Sequence, residues 1–237
     1  MTSSAEPRDL KGASIAHAHN AAGEAGLPGQ LFAPSAARNT QPIVDLIASI
    51  VATFPAETGH NQTTNALELA SGTGQHIVAL AKRLPQLNWQ PSEITASRLA
   101  SIQAYMQAAA LPNLLPAQTL DATIKGWSQK QTPKALIYLA NLLHLISAPE
   151  ARTLIDEAAQ SLAPKGQLLL YGPFMRNHTC TSPGDARFHA SLIAQDASIG
   201  YKDAADIISL AQNAGLKHLN THMMPANNLA LQFENPA

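Results

Sequence analysis

The sequence predicts an α/β fold in which helices cover both faces of a mostly parallel β-sheet. Three observations lead there. Short apolar runs alternate with stretches of helical periodicity from Pro42 onward, a glycine-rich turn joins the first such strand to the helix after it, and the chain ends in two strands separated only by a turn at Pro225. Alternating strands and helices favour parallel pairing, because the crossover needs the length of a helix, whereas a short turn enforces an antiparallel pair.

Taken in order, Ile43, Leu46, Ile47, Ile50 and Phe54 recur at helical spacing and define the first helix just after Pro42. The polar stretch 58–64 interrupts it. Ala66, Leu67 and Leu69 form a short strand that enters Ser71-Gly72-Thr73-Gly74, and Ile77, Leu80, Ala81 and Leu84 mark the next helix. Residues 88–93 read as a second strand, followed by a helix with Leu99, Ile102, Met106 and Ala109 on one face. A third strand is expected over 114–120, ending at Asp121. The run 135–140 is continuously apolar, as a strand covered on both faces should be. Ser147 and Glu150 have capping-box spacing and open a helix whose stripe is Ala151, Leu154, Ile155, Ala158 and Leu162. Pro164-Lys165-Gly166 is expected to end it before a fifth strand over 167–171. A loop over 172–185 precedes two helices, the second over 203–214 and stopped by Gly215. Strands over 216–224 and 228–234 close the chain.

The 237 residues, 46% of them hydrophobic, suit one domain over 31–237. Residues 1–30 are rich in Ala, Gly and Ser without an apolar period, so they have little to bury against their ordering entropy, and a disordered extension is expected. His17 and His19 within it read as solvated. Charged residues are 13% of the chain and the net charge is -1, which gives nucleic acid no basic surface to bind. The single cysteine, Cys180, forms no internal disulfide, and no Cys/His spacing suggests a metal site. Apolar runs such as 135–140 and 168–171 are too short to cross a bilayer, and the N-terminus lacks a secretory pattern, so a cytoplasmic location is expected.

The sharpest chemical signal is Glu68-Leu69-Ala70-Ser71-Gly72-Thr73-Gly74, where a strand delivers an acid and small residues then let the backbone turn tightly against a ligand. Glu93, about twenty residues on at the end of the second strand, is placed to hold ribose hydroxyls. Asp121 ends the third strand, where an adenine amino group can be bound; Ile94 and Ala122 flank these two acids. A nicotinamide fingerprint wants a third glycine three residues after the second, and that position is Ile77. No Lys-Ser/Thr ending makes the turn a P-loop. Adenosine held without a pyrophosphate, as in S-adenosylmethionine (SAM), is therefore the favoured ligand.

Several ordered stretches together resemble DUF938, a family of class I methyltransferase-like proteins that includes the methyltransferase-like 26 proteins. They are Ala37-Arg38-Asn39, Ala70-Ser71-Gly72-Thr73-Gly74-Gln75-His76, Trp89-Gln90-Pro91-Ser92-Glu93, Asn141-Leu142-Leu143-His144-Leu145-Ile146-Ser147, Tyr171-Gly172-Pro173-Phe174 and Pro225-Ala226-Asn227-Asn228. The resemblance covers about 32–234 and implies a Rossmann-like sheet of seven strands with a SAM pocket at their C-terminal ends. Two stretches depart from the family pattern: its Phe-Asp pair reads Phe188-His189, and its Trp-Gly-x-Arg-Asp reads Ile199-Gly200-Tyr201-Lys202-Asp203.

Methyl transfer is an in-line displacement in which a sulfonium charge disappears, so alignment in an apolar pocket supplies much of the catalysis. The expected cofactor residues are Arg38, Asn39, Glu68, Ala70, Ser71, Gly72, Thr73, Gly74, Gln75, Glu93, Ile94, Asp121, Ala122 and Asn141. Asn141, His144 and Tyr171 are the catalytic candidates, with His144 either a base or the partner of a buried carbonyl, and Tyr171 either facing the acceptor or packing. Arg38-Asn39, expected just before the first helix, either clamps the cofactor carboxylate or caps the helix. Asn227-Asn228 reads mainly as a turn, His76 as a loop support, and His178 and Cys180 as loop residues, with no cation beside Cys180 to activate it. The expected function is a SAM-dependent methyltransferase for a small-molecule acceptor. The alternatives are a SAM-binding scaffold, an enzyme using SAM for another reaction, and a nicotinamide oxidoreductase, the last disfavoured by Ile77 and the lack of a Tyr-x-x-x-Lys pair.

Overall fold

A computed structural model describes residues 28–54 and 64–236. Most of the expected extension, 1–27, and most of the polar stretch 58–64 lie outside the described residues. The elements are α1 (Pro34–Val51), β1 (Asn65–Leu69), α2 (Gln75–Arg83), β2 (Asn88–Glu93), α3 (Ala96–Ala109), β3 (Gln118–Thr119) and β4 (Lys134–Ala140). Then follow α4 (Ala148–Ser161), β5 (Leu162–Pro173), α5 (Pro183–Gln195), α6 (Ala204–Asn213), β6 (Lys217–Met223) and β7 (Asn228–Glu234). The sheet runs β3-β2-β1-β4-β5-β7-β6. Its first five strands are parallel, and β7 lies antiparallel to both β5 and β6.

Alternation along the strands divides the core in two. Leu67, Leu69, Ile137, Leu139, Leu168 and Leu170 pack with α4 and α6. Ala66, Leu136, Tyr138, Leu169 and Tyr171 pack with α1 and α2. Ile77 sits fully buried in the second cluster. The strand order reverses direction between β1 and β4, and in open parallel sheets ligands bind at such a switch point, beyond the strand C-termini.

The capping box at α4 is formed: the Ser147 Oγ accepts from the Glu150 N–H, and a Glu150 oxygen accepts from the Ser147 N–H at 2.7 Å. Three boundaries differ from expectation. The first helix starts at Pro34, with Pro42 inside it, so Arg38 and Asn39 are helical residues and not a lead-in. Pro42 only removes one helical donor; it reads as a boundary because the apolar period begins after it. The third strand is reduced to Gln118–Thr119 plus an isolated bridge at Leu114. Pro116 falls between these two and has no N–H for the ladder; its carbonyl accepts instead from the Gln90 side chain. Finally, β5 begins at Leu162, directly after α4, and 164–166 form a kink within it, not a helix stop. Lys165 there has φ of 62°, and a Cβ on Gly166 would stand 2.5 Å from the Lys134 carbonyl oxygen.

Among the described residues no helix is long and apolar enough to cross a membrane, and no three His, Cys, Asp or Glu side chains group to hold a metal.

Candidate functional site

Strands β1 and β4 lie side by side and both end in residues forced into the left-handed region, Ala70 at φ 52° and Asn141 at φ 59°. Such strain costs energy outside glycine and persists where the surroundings hold it, commonly at ligand sites. Here both residues stand at the switch point and line the cleft there. The glycine loop fills one side of that cleft. Gly74 (φ 94°) leads into α2, and a Cβ there would stand 3.0 Å from the Ile102 Cα, so the loop packs directly on α3. Gly72 is different: a Cβ on it would meet nothing within 4 Å, leaving a backbone cradle open to the cleft.

Neighbouring elements hold the loop in place. The Ser71 N–H donates to the Ser92 carbonyl at 2.8 Å, and the Ser101 hydroxyl donates to the Thr73 carbonyl at 2.8 Å. Thr73 donates to the Gln75 Oε1, which also accepts from the Ala33 N–H at 2.7 Å. The segment leading into α1 is tied across the same place, because the Leu31 N–H donates to Ser101 and the Tyr105 hydroxyl donates to the Leu31 carbonyl.

The first cavity of the cleft, about 120 Å³, is lined by Glu68, Ala70, Gly72, Gln75, His76 and Arg98 among others. Glu68 is 2% exposed, and its Oε2 has no hydrogen-bond partner among the described residues. Burial pushes its carboxyl up to about 8, the Ser71 hydroxyl opposes this, and the nearby Glu93 charge adds to it. His76 contacts the Ala36 carbonyl through Nε2 at 3.1 Å. A carbonyl only accepts, so Nε2 carries the proton and Nδ1 accepts from the Tyr138 hydroxyl at 3.5 Å. Burial holds His76 below the ordinary histidine range, so it is neutral, and it stands 4.0 Å from the Glu68 Oε1.

The other two acids sit farther along the strand ends. Glu93 is buried, its Oε2 accepting from the Gly72 N–H at 3.0 Å and its Oε1 from the Ile94 N–H at 2.8 Å; the Arg98 guanidinium is 3.7 Å away. Asp121 accepts from the Thr123 N–H and hydroxyl, and the Ala122 carbonyl accepts from the Trp127 indole. Neither acid lines the two cavities.

A second cavity of about 350 Å³ adjoins the first, and Asn141 and Leu145 line both. Arg38 and Asn39 line only this one. Its wall includes three rings in mutual edge-to-face contact: His144 to Phe188 at 5.8 Å, His144 to Tyr201 at 5.9 Å and Phe188 to Tyr201 at 6.0 Å. Burial and the neighbouring Lys202 charge push His144 down to about 3. Lys202 is itself lowered to about 8 by burial, and its ammonium donates to the Ile146 and Gly200 carbonyls.

The structure therefore brings most of the expected residues to one cleft. Glu68, Ala70, Ser71, Gly72, Thr73, Gln75 and Asn141 line the first cavity, and Arg38, Asn39, Asn141 and His144 the second, while Gly74 packs behind the loop. Tyr171 lies outside both, fully buried, with its hydroxyl accepting from the Asn228 Nδ2 at 3.0 Å. It supports Asn228, which does line the second cavity, and so acts at one remove. Cys180 is pushed up by burial and by Asp185, in keeping with an unreactive thiol. Arg98, Asp185, Phe188 and Tyr201 are site residues the sequence alone did not single out for a role. The one available signal was that 188–189 and 199–203 depart from the family pattern, and these two stretches meet at the second cavity.

Solved methyltransferases share the fold. An O-methyltransferase family protein from Burkholderia thailandensis superposes with a TM-score of 0.70 at 19% identity over 86% of this chain and 58% of that one. Human N-acetylserotonin methyltransferase in complex with SAM gives 0.66 at 13%, over 86% and 53%. An O-methyltransferase family 2 protein from Planctomyces limnophilus, in complex with apigenin, gives 0.65 at 16%, over 82% and 61%. The chain thus spans little more than half the length of the structures it matches, and the likeness establishes the class I SAM methyltransferase fold. The family model described as "Protein of unknown function (DUF938)" matches residues 30–235, and the chain belongs to that family.

Proposed function

We propose that the protein is a SAM-dependent methyltransferase that acts on a small-molecule acceptor. The observation that carries this reading is the pair of adjoining cavities at the switch point, one built on a glycine cradle and a buried carboxyl, the other walled by aromatic rings, with Asn141 common to both. The first cavity fits the cofactor on its own chemistry. The unpartnered Glu68 oxygen can receive an ammonium group, and the Gly72 backbone leaves the space that a side chain would otherwise fill. When bound, SAM supplies an electrophilic methyl group on a sulfonium. Arg38 and Asn39, first expected at the cofactor, belong with the acceptor in this reading. The narrower kinship with the methyltransferase-like 26 proteins is part of the same proposal.

Titration calorimetry of the protein with SAM, S-adenosylhomocysteine and NADH tests the assignment. Micromolar binding of the first two without the third supports it, whereas NADH binding alone overturns it. The nicotinamide reading is already disfavoured, because Ile77 fills core space at the helix where that fingerprint needs close approach.

Within the acceptor cavity His144 is the neutral imidazole on the wall. Its depressed basicity means that it accepts a hydrogen bond from an acceptor hydroxyl and takes the proton only as negative charge develops there. A group held near 3 stays unprotonated across the usual assay range, so the kcat/KM profile should show no histidine ionisation between pH 5 and 8. His144→Gln should lower kcat on the order of 10–100-fold and leave S-adenosylhomocysteine affinity within about twofold, since general-base contributions weaken as basicity falls. An activity limb near pH 6.5 that the Gln variant removes would show that His144 titrates as an ordinary histidine.

A further inference from the structure

The second cavity carries an uneven distribution of charge and hydrogen-bonding capacity. Among the described residues of its wall, Asp185 and Arg38 are the two ionic side chains. The Asp185 carboxylate is heavily engaged: one oxygen accepts from the Thr181 and Ser182 hydroxyls and the Asn227 amide, and the other accepts from the Tyr201 hydroxyl. It also stands in the first turn of α5, where the helix dipole favours negative charge. These donors hold it below the ordinary aspartate range and leave it little capacity for a ligand. It buckles the start of α5 to the β6–β7 turn and to Tyr201.

Arg38 is the opposite case. It is an exposed residue in the second turn of α1, and its guanidinium makes no hydrogen bond or ion pair to a described residue. Beside it, Asn39 adds an amide, and Asn141 and Asn228 line the same cavity. Five N–H donors in a planar fork match a carboxylate bidentately. The wall also carries three aromatic rings, His144, Phe188 and Tyr201, which meet edge to face and so offer an aromatic guest both ring faces and ring edges.

We infer that the acceptor is a planar aromatic molecule carrying an anionic, carboxylate-class substituent, its ring against His144, Phe188 and Tyr201 and its anion held by Arg38. The inference rests on the proposed methyltransferase reading and adds the acceptor's chemical class. A cationic acceptor caged by the same rings is the competing possibility, and Asp185 is disfavoured as its partner because four donors already occupy it.

Three matched probes separate these cases: 4-hydroxybenzoate, 4-hydroxybenzamide and tyramine, which present an anion, a neutral amide and a cation on the same phenol. Each is titrated into the full chain saturated with S-adenosylhomocysteine. The benzoate should bind at least tenfold more tightly than the amide, and tyramine most weakly. Arg38→Gln should remove the preference for benzoate while leaving amide and S-adenosylhomocysteine affinities within about twofold. Equal binding of the benzoate and amide, tighter binding of tyramine, or no binding of any probe overturns the inference. So does an Arg38→Gln variant that loses S-adenosylhomocysteine affinity, because the guanidinium then serves the cofactor. If the wild-type protein does not bind S-adenosylhomocysteine, the methyltransferase reading has failed, which is a separate result read before any probe is added.

Discussion

Glu68→Gln should abolish a pH dependence of SAM binding and, at the same time, make the folded protein more stable in mild alkali. Both effects follow from one buried carboxyl held at about 8 by desolvation, with Glu93 nearby adding to the shift. At pH 7 only about one molecule in ten carries the charge that a cationic ligand group requires. Its affinity should therefore rise with pH, about tenfold per unit below pH 7, until the ligand's own α-ammonium begins to lose its proton near pH 8. Near pH 7 binding should release close to one proton, which appears as a buffer-dependent enthalpy in calorimetry. His76 also lines the cavity, but burial lowers its pKa, away from this range, so the slope belongs to Glu68. Gln keeps the shape, removes the titration and weakens binding above pH 8, where the wild-type carboxylate is ionised.

The stability sign is the reverse. A carboxyl raised in the folded state contributes stability that is complete below the unfolded value of 4.5 and is lost as pH rises through about 8. The loss is roughly 1.4 kcal/mol per pH unit within that window, as an upper bound for a group that solvent can reach on opening. Urea denaturation at pH 8.5 should find the Gln variant more stable by about 2–4 kcal/mol, and the two proteins should be equal near pH 4.5. Equal stability at both values, or a SAM slope that survives in the variant, would remove Glu68 from the site. A residue that costs stability where it is needed for binding is a common signature of function.

The two predictions on buried acids were within reach of the sequence because the glycine turn and the strand-end carboxylates are local signals. Glu68, Gly72, Gly74 and Glu93 follow from a strand, a tight turn and a second strand, each set by residues close in the chain. The same is true of the Ser147 capping box and the parallel sheet with its antiparallel end. What the sequence could not show depends on distant groups. Tyr171, at a strand end, reads as either facing the acceptor or packing, and its side chain falls on the face covered by α1 and is fully buried. Phe188 lies in α5 and Tyr201 beyond its end, and no spacing between them announces that their rings meet. Arg38 changes role once α1 extends two turns before its apolar period begins. The broken third strand was legible in principle, since Pro116 stands in plain view at an edge where a missing donor is tolerated.

Glu93→Ala should reduce both stability and SAM affinity, and the comparison of the two measures how the residue works. Its oxygens accept from the Gly72 and Ile94 N–H groups in a buried position. Alanine leaves both donors without that acceptor, at about 1–3 kcal/mol each, so a loss of roughly 2–4 kcal/mol in denaturant unfolding is expected. SAM affinity should fall on the order of 100-fold, because the Gly72 cradle is positioned by the lost bond and a charge-assisted contact is removed with it. Gln is not a benign replacement, since its amide would turn a donor toward one of the two N–H groups. Asp keeps both oxygens and should retain most of the affinity. The Glu93 Oε1 also accepts from the Thr95 N–H at 3.4 Å, so the second lone pair of Oε2, beside the Gly72 bond, is where a ribose hydroxyl would be accepted. Binding of S-adenosylhomocysteine and its 2′-deoxyribose analogue to wild type and Ala variant closes a double-mutant cycle on that point. If Glu93 touches the ribose, the wild-type protein discriminates between the two ligands and the Ala variant does not. Equal discrimination by both proteins would mean that Glu93 acts only through the Gly72 backbone, and the ribose would then have to be held elsewhere along the ends of β2 and β3.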